Sequence, residues 1–159
     1  MADIEVKMGD IAVAKNSDSL VVSGIGSCVV IALYEPKLKI GAAAHAMLPP
    51  NSKAQNHSST SSEAGETVDT RYVDIAIDEL LKIMETQGAR KGDLEAKLVG
   101  GANMFSAFMS DIGKENVTGA KEKLKKEGIK LVGESVGGTQ GRSAEFSASS
   151  GIVTVKMKF

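Results

Sequence analysis

Cys28 and His45 are the two side chains in this sequence best equipped for covalent chemistry. A thiolate attacks carbonyl carbons, and an imidazole is the base that can generate it. Without help a thiol has a pKa near about 8.5, so little of it is ionised at neutral pH. Cys28 ends the glycine-rich stretch Ser23-Gly24-Ile25-Gly26-Ser27-Cys28 and precedes an apolar run. Glycines there allow a sharp bend. The amide N–H groups around Gly26 and Ser27 then point into a concavity, where they stabilise a thiolate and later an oxyanion. A lone cysteine is, by residue type alone, more often a buried core residue. It is the glycine-rich setting that points to chemistry.

His45 lies in the apolar run Ala42-Ala43-Ala44-His45-Ala46-Met47-Leu48. A histidine in such a strand is usually a satisfied core residue, but the small alanines beside it leave room around the ring. His57 sits in a polar stretch and reads as a solvated bystander. One cysteine and two unclustered histidines match no zinc spacing, so no metal is expected. The Gly24-to-Cys28 bend lacks the lysine of a P-loop and the third glycine of a dinucleotide fingerprint. It also leads into a strand rather than a helix, and no cofactor is expected. A papain-type peptidase would place its cysteine at a helix N-terminus and its histidine far downstream, and neither is seen.

These residues need a scaffold of short strands. Residues 11–14, 19–22, 29–34 and 40–48 read as strands joined by tight turns, with Pro49-Pro50 closing the last. Residues 51–67 are rich in Ser, Thr, Asn and Gln and read as a long surface loop. Val73, Ile77, Leu80, Leu81 and Met84 recur at helical spacing, with Gly88 as the C-terminal cap. A strand over 94–99 ends in Gly100-Gly101. A second helix over about 115–127 turns Val117, Ala120 and Leu124 inward before Gly128. A strand over 129–135 and a hairpin of 143–148 with 152–157 close the chain. The pattern is mixed α and β, strand-rich, with at least two outer helices.

Composition narrows the function classes. The 159 residues carry 19 Lys+Arg and 20 Asp+Glu, a net charge of −1, without the basic excess of a nucleic-acid protein. The length suits one domain, residues 1–159. No apolar run approaches the roughly 18 residues of a membrane span. The opening residues MADIEVKMGD are unlike a signal peptide, so a cytoplasmic location is expected. The single cysteine allows no intramolecular disulfide.

The segments Gly24-Ile25-Gly26-Ser27-Cys28-Val29 and Gly41-Ala42-Ala43-Ala44-His45-Ala46-Met47-Leu48-Pro49 closely resemble the CheD family of chemoreceptor glutamine deamidases. Further blocks agree in the same order. They are Arg71-Tyr72-Val73-Asp74, Lys97 with Gly100-Gly101-Ala102-Asn103-Met104-Phe105, Ile112-Gly113 with Asn116-Val117, and Gly137-Gly138 with Gly141-Arg142. The resemblance implies an α+β fold, a layered β-sandwich-like core of mixed strands with outer helices, similar to toxin deamidases. It implies hydrolysis of glutamine side chains on chemotaxis receptors to glutamate and ammonia, through a thioester on Cys28 with His45 as acid and base. The 17 positions between them (45 − 28) agree with the family's pair. Some members are similar to receptor methylesterases in activity. The resemblance also implies a second role as a binding module that stimulates a CheC-like phosphatase. Phe105 and Met104, beside Phe108 and Met109, are candidate apolar substrate contacts.

One position departs from the family pattern. A threonine usually stands six residues before the cysteine as a third catalytic residue, and here that place holds Val22, beside Ser23. Adjacent strand residues face opposite ways, so Ser23 could substitute only across a bulge. The expectation is that the Val22 main-chain carbonyl, or a bulged Ser23 hydroxyl, orients His45.

Overall fold

A computed structural model describes residues 2–50, 68–104 and 111–157. Among these residues, nine strands and two α-helices follow one another as β1 (Asp3–Glu5), β2 (Ile11–Lys15), β3 (Ser19–Ile25), β4 (Val29–Glu35), β5 (Ile40–Ala46), α1 (Val73–Thr86), β6 (Glu95–Gly100), α2 (Ile112–Lys126), β7 (Lys130–Val136), β8 (Arg142–Ser147) and β9 (Val153–Met157). They form a five-stranded sheet ordered β2-β5-β4-β6-β7 and a four-stranded sheet ordered β1-β3-β8-β9. Both sheets mix parallel and antiparallel pairs. The result is the expected α+β layering of two sheets and two helices.

The layers explain why β4 is a continuous apolar run rather than an alternating one. Val29, Ile31 and Leu33 pack with Ala42, Ala44, Ala46, Ile77, Leu80, Met84 and Leu124 on the helix side. Val30, Ala32 and Tyr34 pack with Leu20, Val22, Ala43, Val99 and Phe146 between the sheets. A strand covered on both faces has no polar side to show, so period two is lost. Gly41 permits the sheets to close at one edge, because a Cβ there would meet the Phe146 ring at 2.6 Å. That ring meets Tyr34 edge-on with centroids 5.7 Å apart, and the Tyr34 hydroxyl donates to the Ala148 carbonyl at 2.6 Å.

Most element boundaries lie within a residue or two of expectation. The second helix starts earlier, at Ile112, because the Asp111 side chain accepts from the Lys114 amide at 2.9 Å and caps it. The strand expected over 40–48 ends at Ala46; Leu48 instead forms a single bridge to Tyr72. β3 runs on to Ile25 across a register shift between Val22 and Ile25. β1, three residues of mixed polarity, carried no pattern long enough to read. The expected loop over 51–67 lies outside the described residues. Among the described residues, no helix is long and apolar enough to cross a membrane.

Leu80 is fully buried in the helix-side core, whereas Leu81 is only partly covered. Leu80→Ala should lower the unfolding free energy by about 2–5 kcal/mol, and Leu81→Ala by clearly less. Urea denaturation of the two variants checks the ranking.

Candidate active site

β4 and β5 are antiparallel neighbours, with Val30 opposite His45 and Val29 opposite Ala46. Cys28 precedes Val30 by two residues. Continuing the strand alternation places it on the same, inter-sheet face as His45 and diagonal to it. Same-face diagonal neighbours stand roughly 7–8 Å apart, a gap that an imidazole can span. Both are buried, with Cys28 8% and His45 2% exposed.

The imidazole has a defined tautomer. Nδ1 lies 3.4 Å from the Val6 carbonyl, which can only accept, so Nδ1 carries the proton and Nε2 the lone pair. Nε2 is buried and has no hydrogen-bond partner among the described residues. The segment after β1 holds the main chain as well. The His45 amide donates to the Asp10 carbonyl at 3.1 Å, and the His45 carbonyl accepts from Gly9 at 2.8 Å. Burial lowers the His45 pKa from its usual value, against smaller upward effects of the Val6 carbonyl and the Asp10 charge. Burial raises the Cys28 pKa, partly offset by its own backbone amide. The resting pair is therefore a neutral thiol beside a neutral imidazole.

The orienter differs from expectation. Val6, not Val22 or Ser23, supplies the group facing Nδ1. Val22 is buried in the core between the sheets. Ser23 is exposed and lines a groove on the outer sheet face with Val21, Ser143 and Glu145. A register shift does follow Val22, but it leaves the Ser23 side chain on the outer face.

The bend at Gly26-Ser27-Cys28 is held through its carbonyls. The Gly26 carbonyl accepts from Ala102 at 3.0 Å and the Cys28 carbonyl from Gly101 at 2.7 Å. Between them, the Ser27 carbonyl accepts from Asn116 Nδ2 at 2.9 Å. Gly101 and Ala102, just past β6, and Asn116 of α2 thus hold all three carbonyls of the bend. This approach needs glycine at position 100. Its φ is +119°, and a Cβ there would collide with the Cys28 carbonyl and come within 2.7 Å of Ile25 Cγ2. Arg142, 4% exposed, donates to the Gly100 carbonyl at 2.7 Å and the Gly137 carbonyl at 2.6 Å, bracing the same turn from behind. Asn116 and Arg142 appear in the resemblance blocks without an assigned role. A polar residue on the inward stripe of an amphipathic helix was the readable signal for Asn116.

Met104 is exposed and packs on the bend, its Cγ 3.4 Å from where a Gly26 Cβ would stand. Phe105, Phe108 and Met109 lie outside the described residues. Among the described residues, no cluster of three or more His, Cys, Asp or Glu side chains could hold a metal ion.

A family profile described as "CheD chemotactic sensory transduction" matches residues 47–157. The chain belongs to the CheD family. Similar proteins include a probable chemoreceptor glutamine deamidase CheD of Methanococcus maripaludis, 42% identical over 96% of this chain and 94% of that protein. A CheD of the same description from Methanococcus vannielii is 41% identical over the same shares. One from Clostridium botulinum is 39% identical over 97% of this chain and 92% of its own. The CheD profile begins at Met47, just past His45, whereas these relatives span nearly the whole chain.

A raised thiol pKa has a direct readout. Cys28 should react with iodoacetamide more slowly at pH 7 than a free thiol, with a midpoint above about 8.5. Mass-spectrometric alkylation rates from pH 6 to 10 check this. A midpoint below 7 would mean a preformed thiolate–imidazolium pair.

Proposed function

We propose that this protein hydrolyses selected glutamine side-chain amides on the cytoplasmic helices of chemotaxis receptors to glutamate, releasing ammonia. The observation that carries this reading is the buried Nε2 of His45, without a hydrogen-bond partner among the described residues, on the residue whose strand partner, Val30, stands two residues after Cys28. A lone pair so placed is free to serve as a base, and the thiol of Cys28 is the nucleophile proposed to need one. The descriptions of the whole-length relatives support the choice of amide and receptor.

The steps follow from the groups present. A glutamine side chain enters beside Cys28, and His45 Nε2 takes the thiol proton as sulfur attacks the amide carbon. The carbonyl oxygen becomes an oxyanion, held by the amides of Ser27 and Cys28. Imidazolium returns the proton to the departing nitrogen, and ammonia leaves a thioester. Neutral Nε2 then takes a proton from water, whose oxygen attacks the thioester. Collapse yields the glutamate carboxylate and restores the thiol. The lowered His45 pKa keeps this base free down to below about pH 6.5, so the acid limb of activity falls below that value. A methyl ester on the same receptor position would pass through the same thioester, which accounts for receptor methylesterase as a side activity. Met104, with Phe105 next in sequence, is the apolar contact proposed for the receptor helix.

A receptor cytoplasmic fragment incubated with the wild type, Cys28→Ala and His45→Ala tests the reading by ammonia release and peptide mapping. The wild type should convert specific glutamines, and Cys28→Ala none. His45→Ala should be slower by about 10²–10⁴-fold. Conversion by Cys28→Ala would exclude the thioester route. A folded wild type that converts no glutamine of its cognate receptors would shift the function to stimulation of a CheC-like phosphatase.

A further inference from the structure

Asn116 is fully buried on α2, with an amide whose orientation is fixed by its surroundings. Nδ2 donates to the Ser27 carbonyl at 2.9 Å and to the Met47 carbonyl at 3.3 Å. Turning the amide over would set its oxygen against both carbonyl oxygens. One of these carbonyls belongs to the residue before Cys28, the other to the second residue after His45. Ser27 lies before the first residue of β4 and Met47 just after the last of β5, so both lie at the same end of the β4–β5 ladder, which stops at the Val29–Ala46 pair. Beyond that point, the Asn116 amide spans the gap between them.

The same side chain carries an unsatisfied atom. Oδ1 is buried and has no hydrogen-bond partner among the described residues. An apolar residue of similar size would avoid that orphaned acceptor but would leave the Ser27 and Met47 carbonyls without this donor, so the contribution of the asparagine lies in what its Nδ2 holds. Its neighbours keep α2 close enough to make the bridge. Gly113 lies against the backbone of Gly101 and Ala102, and Gly119 lies under the Pro50 ring with a Cβ-to-Val73 Cγ2 approach of 3.2 Å.

We infer that Asn116 is a positioning residue that sets the separation of Cys28 from His45 by bridging the Ser27 and Met47 carbonyls from α2. This inference rests on the deamidase reading for its kinetic consequence, though the bridge itself can be tested without turnover. Asn116→Ala leaves both carbonyls without that donor. Asn116→Asp keeps the volume but sets a carboxylate oxygen where the donor stood.

Both variants should lower kcat on a receptor fragment by about 10²-fold per folded molecule, with KM within about threefold of wild type, because misplacement by an ångström acts on chemistry rather than on binding. The rate of Cys28 alkylation should change in the same variants. A purely structural role would lower the thermal midpoint and leave kcat per folded molecule and the alkylation rate unaltered. That outcome would overturn the inference. A second measurement, independent of how well either variant folds, uses the unaltered chain. Its Asn116 side-chain amide protons, followed by ¹⁵N NMR, should exchange slowly with solvent and shift when Cys28 is alkylated. Fast exchange, or no shift on alkylation, would also overturn it. A wild type without deamidase activity but with the protected, alkylation-sensitive amide would refute the proposed reaction and leave the bridge standing.

Discussion

Three consecutive carbonyls, those of Gly26, Ser27 and Cys28, each need a donor, and meeting that need organises much of the molecule around the thiol. Successive peptide groups cannot direct their carbonyls inward without leaving their amides elsewhere, so satisfying the carbonyls defines where an oxyanion can be held. The donors come from Ala102, Asn116 and Gly101, all far along the chain. β6 and α2 must therefore dock closely on the β3–β4 bend. Glycines at 100, 101 and 113 remove the Cβ atoms that would keep them apart. Arg142 reaches in from β8 to hold the Gly100 and Gly137 carbonyls, which ties the second sheet to the same turn. The layers are thus joined at the site as well as through their apolar cores.

Burial then sets the electrostatics. An ion pair formed in so dry a place would lose the hydration of both charges, and attraction alone seldom compensates in full. The raised thiol and lowered imidazole follow from that desolvation, and both favour the uncharged pair. A resting thiol of this kind also resists adventitious oxidation and alkylation, which act on thiolates. The β4–β5 ladder holds His45 directly, and Cys28 sits one residue before its first pair.

Much of this was legible in the sequence, for identifiable reasons. Cys28 and His45 stood out because the glycine-rich bend and the alanine run were unlike ordinary core strands. α1 was legible because Val73, Ile77, Leu80 and Met84 keep strict helical spacing, and all four are buried. The continuous apolar run of β4 signalled a strand covered on both faces, which the layers account for. Asn116 lay on the stripe that continues through Ala120 and Leu124, so its burial was readable although its two carbonyl partners were not. Arg142 was less accessible to sequence reasoning, because a buried guanidinium bound to main-chain carbonyls leaves no acidic residue at a fixed spacing to mark it. The Asp111 cap was missed because the helix start was read from its apolar stripe, which begins a turn later.

The orienter of His45 was the least legible element, and its chemistry explains why. A side-chain hydroxyl at position 22 would announce itself by residue type. A main-chain carbonyl does not, since every residue at position 6 offers one. What fixes the Val6 carbonyl is the course of the chain. Val6 is itself buried, its amide donates to the Val21 carbonyl at 2.9 Å, and the residues after it bond to both main-chain groups of His45. The strand carrying Val22 therefore still helps to orient the histidine, one step removed, by holding the segment that faces the ring. The carbonyl also has one advantage over a hydroxyl, because it only accepts and so enforces the tautomer that leaves Nε2 basic. Valine at position 22 is then compatible with a fixed His45 tautomer, since the bond to Nδ1 is supplied by backbone that the valine's own strand keeps in place.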